Sequence, residues 1–207
     1  RGSRYADRIP VDAPPSLDAL SPKDFWLIVG TIEPRKNHEG LLRAYRRLKD
    51  TTGTSKPLVI AGGEGWMMSG FRDRVRALGL DADVLLTGYV SEAELHWLLQ
   101  NAFALCYPSF WEGFGLPLLE AMSQGTPVIA SNVSSMPEVV GDTGLLVPPT
   151  DIDALAAAMA RLEADPDLAR RLGEAGHTRS QLFTWPIAAR KTREAYDLAM
   201  TMEPIAE

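Results

Sequence analysis

Short apolar runs alternate with segments of helical spacing along most of the chain. The first unit has an apolar run at residues 25–29, a loop that begins at Gly30, and a segment at residues 37–49 with apolar positions at helical spacing. An uninterrupted apolar run is typical of a strand that is buried on both faces of a parallel sheet. This part of the sequence therefore predicts a strand followed by a helix.

The same unit recurs through the chain. Further strands are predicted at residues 58–61, 84–87, 102–107, 127–130 and 144–147, and the helices between them at residues 71–78, 91–100, 116–124 and 136–140. Such regular alternation predicts an α/β fold with a Rossmann-like, doubly wound parallel sheet of about six strands. Ligands of these sheets bind at the carboxyl ends of the strands, near the point where the strand order reverses.

The two ends of the chain differ from this repeat. Residues 1–24 contain four prolines and little apolar periodicity, which indicates an irregular lead-in or an interdomain linker. A helical carboxyl-terminal tail is predicted at residues 151–163, 166–177 and 186–200. We therefore expect one folded domain at residues 25–200 and a short tail at residues 201–207. Candidate helix caps are Ser91 with Glu94, Thr150 or Asp151, and Asp165.

The stretch from Glu112 to Glu120, which reads EGFGLPLLE, joins the fourth predicted strand to the next helix. Gly113 and Gly115 permit positive φ and a close approach of a ligand to the backbone, and Pro117 suits the first turn of a helix. A helix that begins here leaves its first amides unpaired at the positive end of its dipole, so it forms an anion site that a phosphate would fit. These amides belong to Phe114, Gly115 and Leu116.

Two carboxylates, Glu112 and Glu120, stand on either side of this predicted anion site. A carboxylate beside a phosphate is suited to accept hydrogen bonds from sugar hydroxyls, so the implied ligand is a phosphorylated sugar. One alternative is a helix-capping turn in which Glu120 makes only a salt bridge. A glycosidase pair is disfavoured, because both carboxylates belong to one turn and would not flank a scissile bond.

Two adjacent cations, Arg35 and Lys36, lie in the loop after the first predicted strand. Because the loops after parallel strands open on one edge of the sheet, these side chains should face the phosphate site. There they could neutralise a diphosphate and stabilise it as a leaving group, in place of a metal. The alternative is a pair of exposed cations at the entry to a helix.

These motifs resemble the retaining glycosyltransferases of the GT-B fold known as group 1 or family 4. The resemblance rests on the two glutamates with Gly-Phe-Gly-Leu-Pro between them and on the loop Gly-Thr-Ile-Glu-Pro-Arg-Lys-Asn at residues 30–37. In the family this loop more often contains an arginine where Thr31 stands, so Arg35 is a candidate replacement, whereas Lys36 matches the family lysine. The similarity covers residues 25–200, which correspond to the donor-binding domain alone.

The resemblance implies roles for particular residues. Arg35 and Lys36 would stabilise the departing diphosphate, Glu112 would hold a hydroxyl of the transferred sugar, and Glu120 would bind the ribose. Gly88, Tyr89 and Val90 would form the wall of the nucleobase pocket. The complete set comprises catalytic Glu112, Arg35 and Lys36, and donor-binding Gly30, Gly88, Tyr89, Val90, Phe114, Gly115, Leu116 and Glu120.

Other residues near these motifs are given structural roles or left open. The loop at residues 62–65 either borders the nucleotide pocket, as the resemblance implies, or is only a flexible connection. Phe110 is predicted to be a core residue, and Trp111 is left open between the core and the sugar pocket. Tyr107 and Cys106 are predicted to be packing residues. The segment at residues 134–138 resembles the family's loop after the fifth strand.

The family also implies what the chain binds. The substrate would be a nucleotide diphosphate sugar, with GDP-mannose favoured by the Glu-Pro-Arg-Lys-Asn loop, and the acceptor a saccharide or a lipid-linked chain. No cofactor and no obligatory metal are expected. Members carry an amino-terminal acceptor domain that is missing here, so we expect this chain to bind nucleotide but to transfer sugar poorly or not at all. The last helix of the family crosses to that domain; simple covering of the sheet is the alternative.

Composition restricts the remaining function classes. A net charge of −6 argues against nonspecific nucleic-acid binding, and the three histidines lack metal-ligand spacing. A single cysteine and the lack of a long apolar run predict a cytoplasmic protein, and any association with the inner face of the plasma membrane would be peripheral and made by the missing half. A noncatalytic nucleotide-binding module stays open as an alternative. A dinucleotide-dependent oxidoreductase is disfavoured, since no glycine fingerprint follows Val29.

Overall fold

The computed structural model describes residues 12–63, 65 and 70–201. Six strands are present in the described residues: β1 Trp26–Val29, β2 Leu58–Ala61, β3 Val84–Gly88, β4 Ala104–Tyr107, β5 Val128–Ser131 and β6 Leu145–Val147. They form one parallel sheet in the order β3-β2-β1-β4-β5-β6. This arrangement confirms the predicted doubly wound α/β fold.

The helices lie close to their predicted positions. Residues 102 and 103 were predicted to belong to the fourth strand, but β4 begins at Ala104, because Ala102 is the carboxyl-terminal cap of the preceding helix. The predicted caps at Ser91, Asp151 and Asp165 all accept a hydrogen bond from the first turn of their helices. The helices are α1 His38–Thr52, α2 Phe71–Ala77, α3 Glu92–Asn101, α4 Leu116–Ser123, α5 Met136–Val140, α6 Ile152–Ala164, α7 Pro166–Ser180 and α8 Trp185–Thr201, with short 3-10 turns at Pro15–Leu17 and Pro34–Lys36.

The strand order creates a crevice between β1 and β4. From β1 the chain adds β2 and then β3 on one side, and then returns to add β4 on the other side of β1. Because crossovers between parallel strands are right-handed, the helices before and after this reversal cover opposite faces. Leu41 of α1 belongs to one core and Leu119 of α4 to the other. The loops after β1 and β4 therefore diverge at the edge where ligands of this fold bind.

The last helix does not cover the sheet. α6 packs on α1 and α7 packs on α4, whereas α8 has no buried residue. Its exposed apolar side chains include Trp185, Tyr196, Leu198 and Met200. The alternative of simple covering is therefore wrong for α8. Across residues 12–63, 65 and 70–201, no helix is both long and apolar enough to cross a membrane.

The loops after β1 and β2 are in such close contact that a glycine is required between them. A Cβ atom at Gly62 would lie 2.1 Å from the carbonyl oxygen of Gly30, whereas a Cβ at Gly63 would meet nothing within 4 Å. We expect Gly62→Ala to lower the free energy of unfolding by about 1–3 kcal/mol, as overpacking does elsewhere. Urea unfolding of Gly62→Ala beside the matched control Gly63→Ala measures this effect. Equal stability of the two variants would contradict the close packing of these loops.

Candidate active site

The loop after β1 directs one of its two cations inward. Pro34–Lys36 form a 3-10 turn, and Asn37 then adopts the left-handed conformation as the cap of α1. This turn leaves Lys36 only 7% exposed. Gly30 has a φ of 127°, and a Cβ atom there would lie 3.1 Å from Cε of Lys36. Gly30 therefore provides both an unusual backbone conformation and the space that the lysine side chain occupies.

Arg35, Lys36 and Glu112 meet across the crevice between β1 and β4. The Nζ atom of Lys36 lies 2.8 Å from Oε1 of Glu112, and Nη1 of Arg35 lies 2.7 Å from Oε2. Arg35 also pairs with Glu33 at 2.5 Å and donates a hydrogen bond to the carbonyl oxygen of Trp111. The three residues predicted to be catalytic are thus brought together. Arg35 and Lys36 were predicted to face the phosphate site. In the structure both are also ion-paired with carboxylates.

The electrostatics of this cluster favour its charged form. Burial raises the pKa of Glu112, but hydrogen bonds and positive charge from Lys36, together with Ser109 and Arg35, outweigh it and leave this pKa below its ordinary value. Burial lowers the pKa of Arg35, and the hydrogen bond and charge of Glu112 overcome that effect and raise it. Glu112 is therefore ionised at neutral pH and keeps a full negative charge between the two cations.

Three serines that had no predicted role at this site hold Glu112. Ser109 donates to its carboxylate at 2.8 Å. Ser134 accepts from its amide at 3.1 Å, and both Ser134 and Ser135 donate to its carbonyl oxygen. Ser134 has a φ of 58°, which is uncommon for a residue other than glycine. The resemblance of residues 134–138 to a family loop was the only sequence signal for these contacts.

Two aromatic predictions need correction. Tyr107 is buried as predicted, but it is more than a packing residue, because its hydroxyl accepts a hydrogen bond from Lys36 and its ring centroid lies 4.5 Å from Nζ of Lys36. Burial, followed by the negative charge of Glu112, raises the pKa of Tyr107, so its hydroxyl stays neutral. Phe110 is 45% exposed, so the prediction of a core residue is wrong. Trp111 is 60% exposed.

The predicted anion site has the expected backbone geometry. Gly115 adopts the left-handed conformation with a φ of 93°, and α4 begins at Leu116. Within the described part of the chain, no backbone carbonyl accepts a hydrogen bond from the amides of Phe114, Gly115 and Leu116. The Phe114 ring packs edge-on against Phe183, with 5.9 Å between centroids. Glu120, in the second turn of α4, is 6% exposed.

The loops after β2 and β3 extend the same edge of the sheet. Gly62 forms an isolated bridge with Gly88, and the amide of Ile32 donates to the carbonyl oxygen of Gly63 at 2.9 Å. The first part of the glycine-rich loop is therefore held by hydrogen bonds; Glu64 lies outside the described residues. Tyr89 is 91% exposed, whereas Val90 packs against the core on the face of the sheet that α3, α4 and α5 cover. Among the described residues, the ion pairs of the cluster join Glu33, Arg35, Lys36 and Glu112, and residues 88–90 take no part in them.

The hydroxyl of Tyr107 offers a direct test of how Lys36 is held. Tyr107→Phe removes the acceptor and keeps the ring beneath the ammonium group, so we expect a loss of about 1 kcal/mol in the free energy of unfolding, the typical worth of one hydrogen bond. Urea unfolding measures it. Tyr196→Phe, at an exposed position of α8, is the matched control and should not change stability. A Tyr107→Phe variant as stable as the parent would mean that the hydroxyl contributes nothing to the cluster.

A doubly wound sheet carries two cations and a carboxylate at its reversal point, next to a helix amino terminus, at the edge where ligands of this fold bind. The family model described as glycosyl transferases group 1 matches residues 14–179. The chain belongs to this family.

Individual relatives agree with the assignment. The chain is 39% identical over 198 residues to the O-antigen chain mannosyltransferase B of Escherichia coli, covering 95% of this chain and 52% of that protein. It is 41% identical over 130 residues to the MMP alpha-(1->4)-mannosyltransferase of Mycolicibacterium hassiacum, covering 61% and 32%. Among solved structures, the sucrose-phosphate synthase from Thermosynechococcus elongatus superposes with a TM-score of 0.75 at 33% identity, over 88% of this chain and 47% of that one. The chain thus spans about half the length of the first relative.

Proposed function

We propose that this chain is the donor-binding half of a retaining, family 4 glycosyltransferase that moves a hexose from a nucleotide diphosphate sugar. The observation that carries the proposal is the cluster of Arg35, Lys36 and Glu112 at the reversal point of the sheet, beside the amino terminus of α4. Cations and unpaired amides at one place suit a diphosphate. A buried carboxylate between them suits a sugar hydroxyl.

The hydrogen-bond capacity of the two cations supports diphosphate binding. An ammonium group has three donors, and Lys36 uses one for Glu112 and one for Tyr107, so one is left for a phosphate oxygen. The Arg35–Glu33 pair is partly exposed, with side chains 38% and 28% accessible, and pairs of this kind contribute little. Arg35 can therefore exchange Glu33 for a phosphate, while the more deeply buried Lys36–Glu112 pair stays in place.

This arrangement gives each group a role in transfer. As the glycosidic bond of the donor breaks, negative charge grows on the diphosphate, and Lys36, Arg35 and the first amides of α4 would stabilise it without an obligatory metal. Glu112 would accept a hydrogen bond from the sugar and fix the anomeric carbon, an orienting role rather than a nucleophilic one. Glu120 would bind the ribose hydroxyls, and residues 88–90 the base.

The relatives favour mannose as the transferred sugar. Two proteins at 39% and 41% identity are mannosyltransferases, and one of them acts on an O-antigen chain. We therefore propose GDP-mannose as donor and a saccharide or lipid-linked chain as acceptor. The acceptor domain would be a second domain to which α8, with its exposed apolar side chains, would dock. This chain alone would bind nucleotide and transfer little, and appreciable turnover by it would refute that expectation.

Calorimetric titration with GDP, UDP, ADP and NAD tests the proposal. GDP is expected to bind most tightly, and Glu120→Ala should weaken it, since two ribose hydroxyls lose their acceptor. Preferred binding of NAD would indicate an oxidoreductase domain. Failure of every nucleotide to bind would indicate a module that keeps the fold without the chemistry. Unchanged GDP affinity in Glu120→Ala would refute the ribose assignment.

A further inference from the structure

A separate cavity lies next to the ion-paired cluster, on the side of α1 and α6. Its volume is about 520 Å³, and its walls come from the loop after β1, the first turn of α1, Phe110, and the loop between β6 and α6. Asn37 ties these walls together, because its side-chain amide donates to the carbonyl oxygens of Pro149 at 2.7 Å and Pro108 at 3.1 Å. The cavity is therefore held in shape by hydrogen bonds of a buried side chain.

The charges of the described wall residues balance. Glu33 and Glu39 contribute two carboxylates, and Arg43 and Arg74 contribute two guanidinium groups. Both carboxylates are ion-paired, Glu33 with Arg35 and Glu39 with Arg43. His38 also lines the cavity and is 1% exposed. Burial together with the charge of Lys36 lowers the pKa of His38 to about 4, so this ring adds no charge at neutral pH. A phosphate or a cation would meet as many like charges as opposite ones. A neutral ligand that both donates and accepts hydrogen bonds fits this lining better.

The cavity also offers an apolar contact that the fold does not use. Phe110 is a wall residue and is 45% exposed, although it directly follows the buried segment at residues 104–109. Its backbone amide donates to the carbonyl oxygen of Arg35 at 2.8 Å, so the backbone of Phe110 is fixed directly beside the ion-paired cluster. A pyranose ring combines an apolar C–H face with a rim of hydroxyls, which is the chemistry that an exposed aromatic ring among carboxylates and guanidinium groups recognises.

We propose that this cavity is a subsite for a neutral sugar residue of the saccharide that the enzyme elongates. The proposal rests on the function proposed above, because a saccharide acceptor is expected only of a glycosyltransferase. Phe110 would lie against the face of the sugar ring. The Arg43–Glu39 pair, at 2.6 Å and about half exposed, would give its polar groups to hydroxyls at little cost, since such surface pairs are weak.

The test is a titration of the isotope-labelled chain with α-mannotriose, followed by two-dimensional NMR. Mannotriose is expected to shift the amides of Glu33, Glu39 and Thr150. In Phe110→Ala the affinity should fall about tenfold, which is ~1.4 kcal/mol. Trp185→Ala, which removes an exposed aromatic ring from α8, is the matched control and should bind mannotriose like the parent.

The other outcomes separate this proposal from the one on which it rests. If inorganic phosphate shifts these amides and mannotriose does not, the cavity is an anion site and the sugar subsite is refuted. If mannotriose shifts no cavity amide while GDP still binds, the subsite alone is refuted. If neither GDP nor mannotriose binds, the proposed function falls as well. Equal mannotriose affinity in Phe110→Ala and Trp185→Ala would also overturn the subsite.

Discussion

Replacing Lys36 by methionine is expected to weaken GDP binding by about 10- to 100-fold, because a hydrogen bond from a charged donor contributes ~1.5–3 kcal/mol and each 1.4 kcal/mol is tenfold in affinity. Lys36 is 7% exposed and has one donor left after pairing with Glu112 and Tyr107. Methionine keeps an unbranched side chain of nearly the same length and removes the charge and its donors. Calorimetry with GDP measures the loss.

Lys36→Met also leaves Glu112 with Arg35 as its single cationic partner, so the folding of the variant must be checked. A second variant must show how the loss of one positive charge elsewhere affects GDP binding. Lys191→Met, at an exposed position of α8, removes one positive charge from the chain without touching the site. It should bind GDP like the parent protein at moderate salt, where distant charges are screened. Circular dichroism would show that both variants are folded. A folded Lys36→Met chain with unchanged GDP affinity would contradict the role given to the lysine.

The topology could be predicted from the sequence because each strand is indicated by a short run of neighbouring apolar residues. The runs at β1 and β2 are apolar throughout and each is followed directly by a glycine, so each strand can be recognised within a few residues. The order of the strands follows once right-handed crossovers and a doubly wound sheet are assumed. The same reasoning placed Arg35, Lys36 and Glu112 at one edge, and the structure brings them within ion-pair distance.

The support around this cluster could not be predicted in the same way. Lys36 contacts Tyr107, which is 71 residues away, and Ser134 contacts Glu112 across 22 residues. Such contacts depend on how two loops diverge from the sheet, and the hydrophobic pattern of neighbouring residues does not predict them. Phe110 was misassigned for a related reason. An aromatic residue next to a buried strand is as apolar as a core residue, so the sequence alone does not distinguish the two. The packing of neighbouring loops decides whether its ring is covered.

Glu112→Gln is expected to lower stability by about 3 kcal/mol at pH 7, because breaking a buried ion pair leaves its partner without a counter-charge. Glu112 and Lys36 are each 9% accessible in their side chains, and glutamine keeps the shape and the hydrogen bond from Ser109. Urea unfolding measures the change. Glu174→Gln, which breaks an exposed pair with Arg170 on α7, is the matched control and should change stability little.

The loss of stability should itself depend on pH. Because the pKa of Glu112 in the folded chain lies below its ordinary value of 4.5, its contribution is complete above that value and disappears as the pH falls through the folded pKa. The parent and Glu112→Gln should therefore converge in stability in acid, since a protonated Glu112 is also uncharged. A stability difference that stays constant from neutral pH down through this range would mean that the ion pairs do not cause it.

The same substitution should change GDP binding in the opposite direction to Lys36→Met. With Glu33 and Glu112 both ionised, the four charges of the cluster cancel, and removing one carboxylate leaves a net positive charge facing the diphosphate. Glu112→Gln should thus bind GDP several-fold more tightly, with a steeper dependence on salt. Weaker GDP binding would show that Glu112 holds the cations in place for the phosphate. Tighter binding would show that it competes with the phosphate and is kept for the sugar.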